Sequence, residues 1–219
     1  MSIVLRQVKP HPAGRGFTLL FSNQAKLSCS PDFFLSQKLH KNQEFSALQY
    51  QKFLEKLALE NAYHYCLRRL GTRAYATQEL NQKILFFWRR HLEFHALPDL
   101  SSNSTLVLDR LRKQNLLNDE IFLETFVSSC LQKGYSRHQT TQKLLKLGFS
   151  LSDTSSILDE IYSSSEQKKL LKKHLERQLV RGLDPQNAKD RIKLIRHLGS
   201  RGFPLDQILE IIRQSTKIN

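Results

Sequence analysis

Signals that begin and end helices recur along the chain after residue 46, and they constrain the fold more than any other feature. Residues 108–149 show the pattern most clearly, because they contain one complete helix and most of the next. Apolar residues in the complete helix recur at three- and four-residue spacing, which predicts one buried face. These residues are Phe122, Phe126, Val127, Cys130 and Leu131. A chain built in this way is predicted to be mainly α-helical.

The residues at the ends of these helices fit their expected capping roles. Asn118 is a favourable N-cap, and Gly134 supplies the positive φ with which many helices end. Ser136, with Gln139 three residues later, matches a capping box, and Gly148 ends the second helix. These residues are expected to set helix directions rather than to contact a ligand.

Further helices are predicted on both sides of this stretch. On the N-terminal side they cover about 46–70, 77–92 and 106–117, with a loop at 101–104. On the C-terminal side they cover about 151–161, 168–181, 185–201 and 204–213. There, residues 163–165 are predicted to be a linker, and Asp184 is the predicted N-cap before Pro185.

Residues 1–46 differ from the rest and are predicted to form a small β-rich head. Short β-prone runs at 3–5, 17–21 and 26–29 are separated by prolines and glycines, which favours a hairpin or three-stranded meander. Ser30 followed by Pro31 predicts the start of a short helix. Two or three strands are marginal alone, so this head should pack on the helices that follow.

An internal repeat divides the helical part. Gly148-Phe149 and Gly202-Phe203 each end a helix and precede a short apolar one. We therefore predict three-helix repeats at 47–117, 118–164 and 165–219. Units of this kind bury apolar faces against their neighbours, so the fold expected is an elongated, curved, mainly α array after a small N-terminal β head.

Net charge is the most informative property of the composition. The 219 residues include 34 Lys and Arg against 20 Asp and Glu, a formal net charge of +14. Such a balance indicates a polyanionic or acidic partner, most often nucleic acid, unless it reflects only the amino-acid usage of the host. Cys29, Cys66 and Cys130 lack metal-ligand spacing and indicate a reducing compartment. No signal peptide or membrane span is evident, so a cytoplasmic monomer is expected.

Four patterns, taken in order, resemble the RecX family of bacterial regulatory proteins. They are residues 62–70 followed by Glu79-Leu80 and Lys83-Ile84, Leu116-Leu117-Asn118-Asp119 with Phe122, Lys133-Gly134-Tyr135-Ser136, and Gly148-Phe149 before an apolar helix. The resemblance covers about 50–215. Residues 86–104 depart from it, because the family usually has a brief Gly-Phe turn there, so the resemblance implies an insertion near 86–104 in the first repeat. The resemblance implies a modulator of the RecA recombinase that binds the groove of the RecA–single-stranded DNA filament and limits filament growth and strand exchange.

No catalytic constellation is present in the sequence, so the protein is predicted not to be an enzyme and to need no cofactor. It has no phosphate-binding GxxxxGK[ST] run, no HExxH metal motif and no GxSxG nucleophile. His91 and His95 are better interpreted as a surface pair than as metal ligands. Asp119 and Glu120 are expected to complement a helix dipole.

The third repeat is the most basic part of the chain. Residues 166–219 hold thirteen Lys and Arg and six Asp and Glu, a difference of +7. Candidate contacts to nucleic acid or to the filament are Lys168, Lys169, Lys172, Lys173, Arg177, Arg181, Lys189, Arg191, Lys193 and Arg196. A plain solvated helix face is the alternative. His174 and His197 are interpreted as part of these basic faces. Base stacking is not expected in this repeat, because Phe203 is its one Phe, Tyr or Trp.

A second candidate cluster lies in the first repeat. It contains Arg68, Arg69 and Arg73, with Arg89 and Arg90 nearby. Trp88 and Tyr75 accompany them, although Trp88 fits a core position equally well. The resemblance makes single-stranded DNA the expected nucleic acid, with duplex DNA as an alternative. Two alternatives remain open: a basic helical module that binds DNA or RNA without a recombinase, and an adaptor for an acidic protein.

Overall fold

The computed structural model describes residues 2–11, 16–91, 94 and 99–216. It is mainly helical with a small N-terminal antiparallel sheet, which confirms the predicted fold class. The chain divides into two compact units, Met1–Asn118 and Asp119–Asn219. Among the described residues, the helices are too short or too polar to cross a membrane. The predicted repeat boundaries and the curved array stay predictions.

The first unit joins the sheet to four helices within the described residues. Its elements are β1 (Ile3–Pro10), β2 (Phe17–Phe21), β3 (Lys26–Cys29), α1 (Pro31–Ser36), β4 (Glu44–Phe45), α2 (Ala47–Leu70), α3 (Thr77–Arg89) and α4 (Leu100–Lys113). Helix α1 begins as predicted, because the Ser30 side chain accepts a hydrogen bond from the Phe33 amide.

The sheet contains four antiparallel strands in the order β3-β2-β1-β4, one more than predicted. Strand β4 has only two residues, Glu44 and Phe45, which is too short to show alternation in the sequence. It forms because β1 offers a free edge, where Ile3 pairs with Phe45. Pro12 and Gly14 of the predicted turn lie outside the described residues.

One apolar core joins the sheet to α2, α3 and α4. Leu5 and Leu19 from the sheet and Leu57 from α2 are fully buried in it. Trp88 on α3 is also fully buried, and its indole Nε1 donates to the carbonyl oxygen of Ala58 at 3.1 Å. Trp88 is therefore a core residue of the first unit.

The predicted loop at 101–104 is wrong, because these residues form the first turn of α4. Asp99 caps this helix: its carboxylate accepts from the Ser102 amide at 3.1 Å. Ser104 is buried and donates to the Ser101 carbonyl at 2.7 Å. Serines near a helix start satisfy backbone groups in this way, so a serine-rich run does not exclude a helix.

The second unit is entirely helical within the described residues. Its elements are α5 (Asp119–Gln132), α6 (Arg137–Lys146), α7 (Leu151–Ile161), α8 (Ser164–Leu179), α9 (Ala188–Ser200) and α10 (Leu205–Thr216). The predicted capping box of Ser136 and Gln139 at the start of α6 is confirmed. Its core contains Leu144, Leu158, Leu171, Leu194 and Leu198.

Two predicted helix boundaries in this unit are wrong. Ser163 is the N-cap of α8, so the predicted linker at 163–165 is a helix start. Helix α9 begins at Ala188 with Asn187 as its N-cap, instead of Asp184 before Pro185. The Asp184 carboxylate accepts from the Gln186 amide at 2.8 Å, which stabilises a turn at this point.

The loop between α5 and α6 is bonded to three later helices or helix ends. His174 of α8 donates to the Gly134 carbonyl at 2.8 Å, and the Tyr162 hydroxyl donates to the Tyr135 carbonyl at 2.9 Å. The Ser136 hydroxyl donates to the carbonyl of Arg201, at the end of α9. This loop, residues 134–136, is called the anchor loop below.

We predict that replacing Gly202 by Ala destabilises the fold more than replacing Gly182. Both have positive φ, +82° and +90°, so each alanine incurs about 1–2 kcal/mol of backbone strain. At Gly202 the added Cβ also lies 2.7 Å from the His138 Cβ, whereas at Gly182 no atom lies within 4 Å. Urea unfolding should show an additional loss of about 1–3 kcal/mol for Gly202→Ala. Equal losses for the two variants would contradict this packing.

Candidate nucleic-acid interface

All ten candidate cations of this region are exposed. Nine of them lie in α8 or α9, and Arg181 lies in the segment between the two helices. On α8 they lie on the side opposite Leu170, Leu171 and Leu175, which are buried. On α9 the buried residues are Leu194 and Leu198. Helices α8 and α9 pack against each other, so their exposed cations belong to one structural unit. These ten residues are called the α8–α9 basic surface below.

Three of these ten cations have an acidic partner. Lys168 lies 3.6 Å from Glu210, Lys169 lies 2.7 Å from Glu166, and Lys193 lies 2.9 Å from Asp190. The other seven have no ion pair within 4.0 Å among the described residues: Lys172, Lys173, Arg177, Arg181, Lys189, Arg191 and Arg196. An exposed ion pair contributes little to stability, but it partly neutralises the local field. The positive potential is therefore carried mainly by the seven unpaired cations.

The prediction that His174 belongs to an exposed basic face is wrong. His174 is only 4% exposed, and its Nε2 faces the Gly134 carbonyl oxygen at 2.8 Å. Because a carbonyl oxygen only accepts, Nε2 carries the proton in the neutral ring. Burial lowers the pKa of His174 and outweighs the Gly134 carbonyl, which favours the charged form; the positive charges of Arg201 and Arg177 and the nearby His197 lower it further.

Arg201 is a member of this basic region that the sequence interpretation left out. It follows the end of α9, and its Nε donates to the Nε2 of His197 at 3.2 Å. Burial, with the charges of Arg201 and Arg181, lowers the pKa of His197. The position of Arg201, directly before the helix-ending Gly202, was the sequence signal that could have identified it. Arg201 thus lies beside His197, and positive charges from Arg177 and Arg201 act on His174 while those from Arg201 and Arg181 act on His197.

The arginines of the first unit are in a different environment. Arg68 and Arg69 are exposed on α2. Arg73 is exposed but bound to Glu79, at 3.1 Å between its Nη1 and the Glu79 Oε2, and lies 3.7 Å from the centre of the Tyr75 ring. Tyr75, like Trp88, is buried, so neither aromatic residue of this predicted cluster offers a contact face.

Other aromatic residues lie beside these arginines, in a groove between α2 and α3. The groove has a volume of about 710 Å³, and it is lined by Tyr65, Arg69, Lys83, Phe86, Phe87 and Arg90, among others. The rings of Tyr65 and Phe87 stack with their centres 4.8 Å apart. It is called the α2–α3 groove below. The sequence interpretation missed Tyr65, Phe86 and Phe87, because only the packing of α2 on α3 brings them to Arg69.

Catalytic and metal sites find no support in the described residues. No group of three His, Cys, Asp or Glu side chains there is arranged to hold a metal ion, and His95 lies outside the described residues. The three cysteines are free and buried. Burial raises the pKa of the Cys29 thiol to about 11 and that of Cys66 to about 12, so both stay protonated and poorly nucleophilic at neutral pH.

Sequence comparison relates the chain to bacterial proteins named regulatory protein RecX. The one from Caldanaerobacter subterraneus subsp. tengcongensis is 19% identical over 207 residues, covering 94% of this chain and 96% of that protein. The one from Pseudomonas syringae pv. tomato is 33% identical over 101 residues, covering 46% of this chain and 63% of that protein. Over almost its whole length, the chain is therefore similar to a protein named regulatory protein RecX.

The fold agrees with that of a solved RecX protein. A crystal structure of regulatory protein RecX superposes with a TM-score of 0.64 at 16% identity, covering 97% of this chain and 99% of that one. No model of a protein family matches the chain. The proteins that it resembles are named regulatory proteins, and the α8–α9 basic surface is the part of this chain with the clearest capacity to bind a polyanion.

We predict that the protein loses stability as the pH falls from about 7 towards 5. An unfolded histidine has a pKa near 6.5, and the pKa of His174 in the fold is lower. Between these two values the unfolded state binds more protons, so stability is present above pH 6.5 and decreases below it. His174→Gln, whose amide can still donate to Gly134, should flatten this dependence in urea unfolding. The exposed His40→Gln is the control, and equal flattening there would contradict the assignment to His174.

Proposed function

We propose that this protein acts as a RecX-type regulator, which modulates the RecA recombinase by binding in the groove of the RecA–single-stranded DNA filament. Bound there, it limits filament growth and strand exchange. It acts by binding rather than by catalysis, as a cytoplasmic monomer without a cofactor. The similarity to proteins named regulatory protein RecX supports the recombinase as partner. The seven exposed and unpaired cations of the α8–α9 basic surface are the structural observation that carries the proposal.

These cations suit a phosphate backbone rather than a particular base sequence. Lysine and arginine side chains that neutralise phosphates release condensed counterions, so binding weakens steeply as salt is added. Apart from the buried Phe203, the part of the chain from α8 to α10 has no Phe, Tyr or Trp. Contacts made by this surface are therefore electrostatic and sequence-independent. The recombinase would confer selectivity for the filament.

The arrangement of Arg177, Arg181 and Arg201 favours an anion that binds more than one of them. Arg201 and Arg181 act on His197, and Arg201 and Arg177 act on His174, and each charge lowers the pKa of its histidine. Like charges held this close repel one another in the free protein. A phosphate between them relieves this repulsion, and guanidinium groups form paired hydrogen bonds with phosphate oxygens. These three arginines are proposed as the centre of the DNA contact.

We expect the protein to lower the single-stranded-DNA-dependent ATPase activity of RecA at low salt. Filaments assembled on single-stranded DNA are mixed with the full chain, and ATP hydrolysis is followed as the protein is titrated. An unchanged rate would contradict the proposal. If the protein binds bare nucleic acid equally well and gains no affinity from the filament, it is a module independent of the recombinase. If it neither lowers the rate nor binds DNA in a gel-shift assay, the alternative that is left is an adaptor for an acidic protein.

We expect the double variant Lys173→Gln/Arg177→Gln to weaken filament binding. Both side chains are exposed and unpaired among the described residues, and each lost phosphate contact should reduce the slope of log affinity against log salt by about 0.7. The control Lys52→Gln/Lys56→Gln removes two exposed cations at the same spacing from α2. Equal losses for the two double variants, measured by anisotropy at several salt concentrations, would show that only total charge matters.

A further inference from the structure

The α2–α3 groove has a different chemistry from the α8–α9 basic surface. Aromatic rings and cations line it together, whereas the sequence of α8 and α9 contains no Phe, Tyr or Trp. Phe86 is 57% exposed, so its ring is accessible to a ligand. Tyr65 and Phe87 are partly buried and stacked, so their rings are held rigidly beside it. The groove therefore offers an ordered aromatic platform.

The cations of the groove lie directly beside these rings. The Arg69 guanidinium carbon is 5.2 Å from the centre of the Tyr65 ring, and that of Arg90 is 5.3 Å from the centre of the Phe86 ring. Neither arginine forms an ion pair within the described part of the chain. Glu79 is the acidic side chain of the lining, and it is bound to Arg73 and lies 3.8 Å from Lys83. The groove therefore has a net positive charge.

We propose that the α2–α3 groove binds single-stranded nucleic acid by stacking unpaired bases on Phe86 and on the Tyr65–Phe87 pair. The Arg69 and Arg90 guanidinium groups contact the adjoining phosphates. Aromatic platforms with flanking cations bind single strands with little sequence preference, because every base has a stacking face. This activity uses another surface from the proposed filament contact and requires no recombinase.

An acidic peptide fits the groove less well than a nucleic acid strand. Carboxylates would pair with Arg69 and Arg90, but the faces of aromatic rings carry partial negative charge and do not attract anions. A strand satisfies both parts of the groove, because it combines flat, apolar bases with phosphates at regular spacing. Duplex DNA keeps its bases stacked on one another, so it offers only phosphates. The ligand expected is therefore a single strand of DNA or RNA.

The test compares a strand of about twelve thymidines with an abasic strand of equal length and charge. We expect the full chain to bind the strand with bases about fivefold or more tightly, because each stacked base contributes about 1–3 kcal/mol. A uridine RNA strand is measured in parallel, and the preference over the abasic strand must appear for at least one of the two. Equal affinity for natural and abasic strands overturns the inference, and this comparison needs no variant.

The matched variants are Phe86→Ala and Leu106→Ala. Both side chains are 57% exposed in the first unit, so removing either opens no core cavity. Phe86→Ala should reduce the preference for bases while leaving duplex binding unchanged, because the Tyr65–Phe87 pair remains, and Leu106→Ala should preserve the full preference. The inference is overturned if the two variants behave alike, or if Phe86→Ala weakens binding of an oligoglutamate peptide but not of the strand. Because RecA is absent, failure here is distinct from failure of the filament proposal.

Discussion

The anchor loop at 134–136 is the constraint on which the second unit depends. Its two carbonyls and one hydroxyl bond to Tyr162, to His174 and to the backbone of Arg201, residues contributed from three different places along the chain. A buried carbonyl left without a partner costs about 1–3 kcal/mol, so each bond fixes one element against the loop. Gly134 suits this loop because it adopts a φ of +83°, a left-handed conformation that residues with a side chain rarely adopt.

The same loop links the core to the basic surface. His174 satisfies Gly134 only while one of its nitrogens donates, and burial keeps the ring neutral. A protonated His174 would experience the positive charges of Arg201 and Arg177, and water screens charges poorly at this buried position. A neutral His174 therefore adds no positive charge beside these two arginines. His174 therefore has two roles. It bonds α8 to the anchor loop, and as a neutral ring it limits the local positive charge.

The two units offer polyanions two kinds of contact. Helices α8 and α9 present unpaired lysines and arginines, which suit phosphates of any strand. The α2–α3 groove adds exposed and stacked rings, which suit only bases that are free to leave their stack. If both proposed contacts form, the protein distinguishes a single strand from a duplex without reading its sequence. This combination is consistent with a regulator that acts where single-stranded DNA is exposed.

Helix identity, most helix ends and the excess of charge were determined by the sequence alone, because they depend on neighbours within about four residues. Ser136 with Gln139, for example, caps α6 through contacts that are local in the chain. Strand β4, the burial of His174 and the α2–α3 groove were decided only by the tertiary structure. Each depends on residues far apart in sequence: Ile3 with Phe45, Gly134 with His174, and Tyr65 with Phe87. Periodicity carries no information about which distant helix faces pack together. The charge of the α8 sequence is therefore evident from its residues, but the burial of His174 within it is not.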